Sequence, residues 1–176
     1  MCIRDRSRAF TEKTVLEDYI IKKLQKEKNW KFVPAQELER ESYDDPLLTT
    51  TLVRKLREIN KDINIGDEET KYVLNELKFK GAGIEGIKRI LNFYKQGVPV
   101  KFEKERVVKY VKLFDYKNID KNEFIVSRQV IHHGKEDIRN DIILYINGIP
   151  LVNIELKNPA TFSENWYDAY LSLIHI

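Results

Sequence analysis

The stretch that decides the fold is DIILYINGIPLVNIELK, which runs from Asp141 to Lys157. Two runs of apolar residues flank the dipeptide Asn147-Gly148, which is typical of the tight turn in a β-hairpin. Asp141 opens the first run, and Glu155 and Lys157 close the second. Because an unpaired charge is costly to bury, an otherwise apolar hairpin that carries these three charges requires a physical reason.

The apolar residues of the hairpin predict its register. One face is formed by Ile142, Leu144 and Ile146 on the first strand and by Val152, Ile154 and Leu156 on the second. These six residues form one core face only if the numbers of paired residues sum to an even value, because a slip of one residue turns a strand over. The natural choice pairs Ile142 with Ile154. This register predicts an odd-length turn, of three or five residues, around Gly148. It also places Asp141 opposite Glu155 on the same face, with Lys157 two residues further on.

The two carboxylates are therefore predicted to lie close together, because directly opposed residues have Cβ atoms about 5 Å apart. Two carboxylates at that distance repel unless a cation bridges them, and Mg²⁺ prefers oxygen ligands of this kind. In this interpretation Asp141 and Glu155 bind the metal, with the Leu156 carbonyl as a further candidate ligand. Lys157 then holds or deprotonates the water that attacks a phosphodiester. The alternative is a solvated cluster of ion pairs at a strand end, and the spacing alone leaves both open.

Composition describes a globular domain. Hydrophobic residues make up 42% and charged residues 34% of the 176 positions, and no run approaches the roughly 18 apolar residues of a membrane span. A net charge of +3 permits a polyanionic partner without demanding one. The single cysteine, Cys2, excludes an internal disulfide and a cysteine-rich zinc site. Without an apolar signal segment, the protein is expected to be cytoplasmic and not bound to a membrane.

The two ends of the chain do not continue the pattern between them. Residues 1–8 begin with MCIRDR, and residues 171–176 read LSLIHI. Neither end has a cap, a turn or a periodicity that connects it to its neighbours. We interpret both as foreign-looking tails around a single domain of residues 9–170, truncated at its C-terminal side, and we expect the native protein to continue beyond position 170.

The hydrophobic period changes along the chain from about 3.6 residues, typical of helices, to two residues, typical of strands. Helices are predicted from Thr11 or Thr14 to Leu24 and over Pro46–Asn60, Asp67–Lys80 and Ile84–Gln96. Strands are predicted over Asn29–Val33, Val98–Phe102, Val107–Asp115, Glu123–Val130 and both arms of the hairpin, and a last helix follows Ser163. This order predicts an α/β (α+β) sandwich with a mixed, mostly antiparallel central sheet flanked by helices.

Apolar residues at helical spacing predict the inward face of each helix. They include Leu16, Tyr19, Ile20 and Leu24 in the first helix, Leu52 and Leu56 in the second, Tyr72 and Val73 in the third, and Ile87, Ile90, Leu91 and Tyr94 in the fourth. Trp30 and Trp166 are interpreted as core anchors. His132 and His133 are interpreted as residues of a loop edge, since adjacent histidines on a strand point to opposite faces.

The hairpin resembles the nuclease motif of type I restriction enzymes. The stretch RNDIILYINGIPLVNIELKNP, from Arg139 to Pro159, is similar to the motif in the N-terminal domain of the restriction (R) subunit, a branch of the PD-(D/E)XK nucleases. Two other segments resemble that family. The first resembles the opening helix of the family, with Thr11-Glu12, Glu17 and Leu24 followed by Asn29-Trp30. The second resembles the segment that precedes the motif, with Ile119, Asp120, Asn122, Phe124, Val126 and Gln129. The resemblance covers residues 9–170.

The resemblance implies a restriction-endonuclease-like fold and Mg²⁺-dependent cleavage of double-stranded DNA. Asp141 and Glu155 would then be the metal ligands and Lys157 the catalytic lysine, and Arg139, beside the motif, is a candidate contact for a DNA phosphate. The complete enzyme would need ATP, S-adenosylmethionine, and methylation and specificity subunits. No GxxxxGKS or GxxxxGKT motif occurs in the sequence, so ATP use is not expected in these residues.

Three positions depart from that family's pattern or leave it open. Glu17 is the candidate for a helical glutamate at the metal site, but Thr14 and Glu17 also form the T-x-x-E pattern of a capping box, which is the favoured interpretation. Asn140 stands where the superfamily name has proline. A Gln-x-x-x-Tyr element, expected near Ser172, is missing, which leaves open whether this chain is active alone.

Two alternative functions remain: another nuclease of the superfamily, acting in repair or in a mobile element, and a non-catalytic DNA-binding or assembly domain.

Overall fold

The computed structural model describes residues 12–78, 83–102, 106–134 and 137–156. Its helices are α1 (Glu12–Lys28), α2 (Thr49–Ile59), α3 (Asp67–Lys78) and α4 (Gly83–Gln96). Its strands are β1 (Lys31–Phe32), β2 (Val98–Phe102), β3 (Val107–Val111), β4 (Phe124–His132), β5 (Ile138–Ile146) and β6 (Ile149–Ile154). Helices precede most of the strands, so the predicted α+β class is confirmed.

The central sheet has the order β1-β4-β5-β6. Strand β1 pairs with β4 in parallel, and the other two pairings are antiparallel. The sheet is therefore mixed and mostly antiparallel, as the sequence predicts. Strands β2 and β3 form a separate two-stranded antiparallel sheet, which the hydrophobic pattern alone did not distinguish from the central one.

Strand β5 is buried on both faces, which explains its nearly continuous apolar sequence. On one face Ile142 packs with Val126 and with Ile21 of α1. On the other face Ile143 and Tyr145 belong to a second cluster. A third and larger cluster joins α2, α3 and α4 to the small sheet; it includes Leu52, Leu56, Val73, Phe93, Val98, Val111 and Leu113.

The turn of the β5–β6 hairpin differs from the prediction. Ile146 pairs with Ile149, so the turn contains only Asn147 and Gly148, and both have positive φ angles, 53° and 83°. The predicted odd-length turn was therefore wrong. The predicted pairing of Ile142 with Ile154 is nevertheless confirmed. A β-bulge beyond the turn restores it, because the register shifts between Leu144 and Tyr145.

Helix α1 begins as predicted but differs from the prediction on its inward face. The helix runs from Glu12, so the alternative cap Thr14 lies inside it and the capping-box interpretation was wrong. Leu16 and Tyr19, expected inside, are exposed. The face turned toward the sheet instead carries Glu17 and Ile21, both buried. Hydrophobic periodicity does not identify this face because one of its buried residues, Glu17, is charged.

The remaining differences concern element ends and partly exposed helix faces. Helix α2 begins at Thr49 rather than Pro46, and β3 ends at Val111 rather than Asp115. Tyr72, Ile87 and Leu91, expected inside, are exposed, as are Val107, Val108 and Tyr110 of the small sheet. The predicted helix after Ser163, with Trp166, lies outside the described residues. Among the described helices, none combines the length and apolarity needed to cross a lipid bilayer.

Candidate active site

Asp141 lies on β5 and is almost completely buried, with 2% of its surface exposed. Its Oδ2 accepts a hydrogen bond of 2.8 Å from the backbone N–H of Leu156. That N–H belongs to the peptide that joins Glu155 to Leu156, immediately after β6 ends at Ile154. The bond lies next to the Ile142–Ile154 pair and brings Asp141 against the Glu155–Leu156 peptide. The predicted position of the Glu155 carboxylate opposite Asp141 stays a prediction.

Glu155 is partly buried beside this peptide. Lys157, the third residue of the predicted motif, lies outside the described residues, so its position stays a prediction. Arg139 lies on β5 across from Ile131 and is exposed to solvent. Arg139 is thus accessible to a ligand on the strand that carries Asp141, two residues before it.

Gln129 on β4 faces Asp141 across the sheet. The pairs on either side, Arg128 with Ile142 and Val130 with Asn140, place it there. Its Nε2 lies 2.5 Å from the Oε1 of Glu17 on α1 and 3.5 Å from the Oδ1 of Asp141. Since only 3% of Glu17 is exposed, the amide of Gln129 links two buried carboxylates from different elements.

The resemblance to the nuclease family contained Gln129, but its role was missed. The local signal was a glutamine in the apolar strand sequence FIVSRQVIH of β4. The sequence pattern favours a capping role for Glu17 over a role in the active site. The structure puts it beside the Gln129 amide instead, 112 positions away in sequence.

Asn140, where the superfamily name has proline, braces the strands next to Asp141. Its Nδ2 donates to the carbonyl of Val130 on β4 at 3.3 Å, and its Oδ1 accepts from Nδ2 of Asn153 on β6 at 2.8 Å. One buried side chain therefore ties β5 to both neighbouring strands. Proline offers neither the donor nor the acceptor, so asparagine has a structural reason at this position.

A neighbouring ion pair fixes α1 on the sheet. Arg128 of β4 pairs with Asp18 of α1, and the Arg128 guanidinium lies 5.8 Å from the centre of the Phe32 ring.

Trp30 packs edge-on against Phe124 with 5.3 Å between ring centres, and it lies in the cluster that includes Ile21. Trp30 is therefore the core anchor that the sequence predicts.

The two histidines at the end of β4 have contacts with nearby loops. The Nδ1 of His133 lies 2.7 Å from Oδ1 of Asp137, and its ring packs edge-on against Tyr43. His132 is half-buried, and burial, aided by the charge of Arg40, lowers its pKa below the ordinary value. These contacts agree with a place at a loop edge.

The donor set at Asp141 consists of oxygen atoms. Within the described ranges, no group of three or more His, Cys, Asp or Glu residues is arranged to hold a metal ion. Asp141 lies against the Glu155–Leu156 peptide, and Glu17 contacts the Gln129 amide. The Oε1 of Gln129 is buried and has no hydrogen-bond partner among the described residues. Carboxylate and amide oxygens are ligands suited to a hard cation such as Mg²⁺.

Comparison with known proteins gives the family of this α+β domain. The chain belongs to the family described as type I restriction enzyme R protein N terminus, whose sequence model matches residues 9–175. The predicted resemblance is thereby confirmed.

Individual relatives agree with this family. The protein named "Putative type I restriction enzyme MjaVIIIP endonuclease subunit", from Methanocaldococcus jannaschii, is 33% identical over 135 residues, which cover 74% of this chain and 13% of the relative. The type I restriction enzyme HindI endonuclease subunit of Haemophilus influenzae is 33% identical over 85 residues, covering 44% of this chain and 8% of that protein. The chain thus spans a small part of the curated relatives it matches.

Proposed function

We propose that this domain is the DNA-cleaving module of a type I restriction enzyme and hydrolyses phosphodiester bonds of unmodified double-stranded DNA with Mg²⁺. The observation that carries the proposal is the arrangement around Asp141, whose buried carboxylate meets the Glu155–Leu156 peptide on one side and the Gln129 amide on the other. Buried acidic groups reduce stability unless they are compensated. The meeting of two such groups, Asp141 and Glu17, at one amide therefore favours a chemical role over a structural one.

The residues present fit a hard divalent cation. Asp141 and Glu155 would hold it. The Oε1 of Gln129, which has no hydrogen-bond partner among the described residues, is a neutral oxygen that could bind the ion or accept a hydrogen bond from its water. When bound, the ion would offset negative charge on the phosphate and lower the pKa of a water molecule.

The chain's own residues would prepare the site in three ways. The Leu156 N–H fixes one oxygen of Asp141 and so sets the direction of the carboxylate. Lys157, one residue further along, would hold the attacking water and offset phosphate charge. Arg139 is exposed two residues before Asp141 and would contact a DNA phosphate, a bond that positions the duplex without reading its sequence.

The other activities of a type I enzyme would lie in other parts of the protein or in its partners. The relatives are far longer than this chain, which covers 13% and 15% of two of them. We propose that ATP is used by the remainder of the subunit. S-adenosylmethionine and DNA sequence recognition would belong to methylation and specificity subunits, in a complex that acts in the cytoplasm.

Plasmid cleavage by the complete complex tests the proposal. Asp141→Ala, Glu155→Ala and Lys157→Ala should each abolish cleavage while ATP hydrolysis continues, because the motor lies elsewhere. Cleavage by Lys157→Ala at the wild-type rate would contradict the catalytic assignment. Wild-type cleavage by all three variants would indicate a non-catalytic DNA-binding or assembly domain. A gene whose following several hundred residues encode no helicase motor would indicate another nuclease of the superfamily.

A further inference from the structure

We propose that Gln129 is a positioning residue of the nuclease site, which holds the carboxylates of Glu17 and Asp141 side by side for a divalent cation. The proposal rests on the proposed function and adds to it a residue on β4, outside the hairpin motif. Gln129 also brings Glu17 into the site as the partner of Asp141.

The first argument is the geometry of the amide. Nε2 has two N–H donors, and two buried carboxylate oxygens lie within reach, on Glu17 at 2.5 Å and on Asp141 at 3.5 Å. This arrangement fixes the orientation of the amide, since an exchanged amide would turn its oxygen toward Glu17. The Gln129 side chain therefore couples the position of α1 to the position of the Asp141 carboxylate on β5.

The second argument is charge. Two carboxylates as buried as Glu17 and Asp141 require donors, and an amide supplies them without neutralising the negative charge. A lysine or arginine at position 129 would satisfy the same oxygens but would repel a cation. A glutamate there would add a third carboxylate and no donor. Glutamine is thus the residue that stabilises both acids while leaving their charge available to a metal.

The third argument is the backbone. Gln129 has a φ of 55°, in the left-handed region that strains the backbone of a residue other than glycine. Among the described residues, Asn29, Asn64, Arg106 and Asn147 share this conformation, but all four lie outside regular elements. Gln129 adopts it inside a strand, where its expected ladder pair with Asp141 is missing between two regular pairs. Strain of this kind persists where a side chain must point in a particular direction.

The fourth argument is the Oε1 atom. This oxygen is buried and has no hydrogen-bond partner among the described residues. An unsatisfied buried polar atom reduces the stability of the folded chain, so its place in the site favours a ligand. A cation bound beside the Asp141 carboxylate, or water bound to that cation, supplies the missing partner.

Metal binding by the complete restriction subunit, without nucleotide, tests the proposal. The probe is Mn²⁺ alone, titrated by electron paramagnetic resonance, and Asp141→Ala defines the binding that belongs to this site. Gln129→Met keeps the length of the side chain and removes its polar atoms, so the Mn²⁺ dissociation constant should rise about 10-fold or more. In the complete complex, the Mg²⁺ concentration for half-maximal DNA cleavage should rise in parallel, with recovery at high Mg²⁺.

Gln129→Gly separates positioning from stability. Glycine accepts a φ of 55° without strain, so this variant removes the amide while it relaxes the backbone, and it should lose metal affinity as Gln129→Met does, whatever its melting temperature. Asn64→Gly is the matched control, because it makes the same backbone change in a turn and should leave metal affinity and cleavage unchanged. A purely structural role predicts the reverse, a change in melting temperature with unchanged metal affinity.

The outcomes distinguish the two proposals. If Asp141→Ala abolishes Mn²⁺ binding and cleavage while both Gln129 variants bind Mn²⁺ as the wild type does, the role of Gln129 is overturned and the nuclease assignment stands. If Asp141→Ala keeps wild-type metal binding and cleavage, the nuclease site itself is wrong, and the positioning role falls with it. Should Gln129→Met fail to fold, Gln129→Gly decides.

Discussion

The backbone N–H of Leu156 donates a 2.8 Å hydrogen bond to Oδ2 of Asp141, and so joins the last described residue after β6 to a buried carboxylate on β5. The bond uses one carboxylate oxygen and leaves the other, Oδ1, on the side of Gln129. Asp141 is therefore oriented by the strand that leads to Glu155, and two of the predicted site residues are held in one rigid hairpin.

This relationship predicts the effect of Asp141→Asn. The amide oxygen still accepts from Leu156, so the free energy of unfolding of the chain should change by no more than about 1 kcal/mol. The negative charge is lost, so DNA cleavage by the complete complex should fall by roughly 100-fold or more. Cleavage and ATP hydrolysis are measured together, and a variant that cleaves normally would show that the charge is not needed.

The close approach of the hairpin turn to α2 predicts the effect of Gly148→Ala. A Cβ atom at Gly148 would lie 2.6 Å from the carbonyl oxygen of Leu48 and 3.0 Å from the nitrogen of Leu52, and φ is 83°. Steric overlap and backbone strain together should lower the free energy of unfolding by about 3 kcal/mol.

Gly83→Ala is the matched control for that loss. Gly83 also has a positive φ, 66°, but a Cβ atom there would meet nothing within 4 Å. Chemical denaturation of the 176-residue chain should therefore show a loss of about 1 kcal/mol, from backbone strain alone. Equal losses in the two variants would mean that the contact between the turn and α2 contributes nothing.

Burial of His132 predicts acid sensitivity. Burial lowers its pKa below the ordinary 6.5, so below that pH the unfolded chain binds more protons at this position than the folded chain does. This contribution to stability is complete above pH 6.5 and is lost as the pH falls through the lowered pKa.

Replacement of His132 should remove that contribution. His132→Asn should weaken the fall in melting temperature between pH 7 and pH 5, measured by circular dichroism. His133→Gln, at the exposed neighbouring position, should leave it in place. An unchanged slope in His132→Asn would show that other groups cause the acid loss.

The sequence predicted the site end of the hairpin better than its turn, for a physical reason. Burial of Ile142 and the pairing with Ile154 follow from alternation, because a slip of one residue would expose the whole apolar face. The bulge near Leu144 lies among apolar residues on both strands, so alternation does not reveal it. The tight turn and the even register are compatible only through this bulge.

The partner of Asp141 on β4 was not predictable in the same way. Glu17 and Gln129 meet across 112 positions of sequence, and no local pattern encodes that contact. The T-x-x-E spacing of α1 imitates a helix cap, and the positive φ of Gln129 is unusual for its residue type. The contact depends on how α1 packs on the sheet. Hydrophobic periodicity predicted an inward face of α1 that includes Leu16, whereas the buried residue is its neighbour Glu17.

The position of Glu17 provides the last prediction. Its carboxylate is buried and lies 2.5 Å from the Gln129 amide, so Glu17→Gln keeps the size of the side chain and an acceptor while it removes one negative charge. If Glu17 serves the metal site, DNA cleavage should fall roughly 10–100-fold, with a higher Mg²⁺ requirement and a melting temperature close to that of the wild type. Asp18→Asn is the matched control on the same helix, because Asp18 pairs with Arg128 on β4; its loss should affect stability rather than cleavage. A Glu17→Gln enzyme that cleaves normally at low Mg²⁺ would mean that Glu17 only anchors α1, because charge removal at a metal site weakens cation binding whatever its effect on folding.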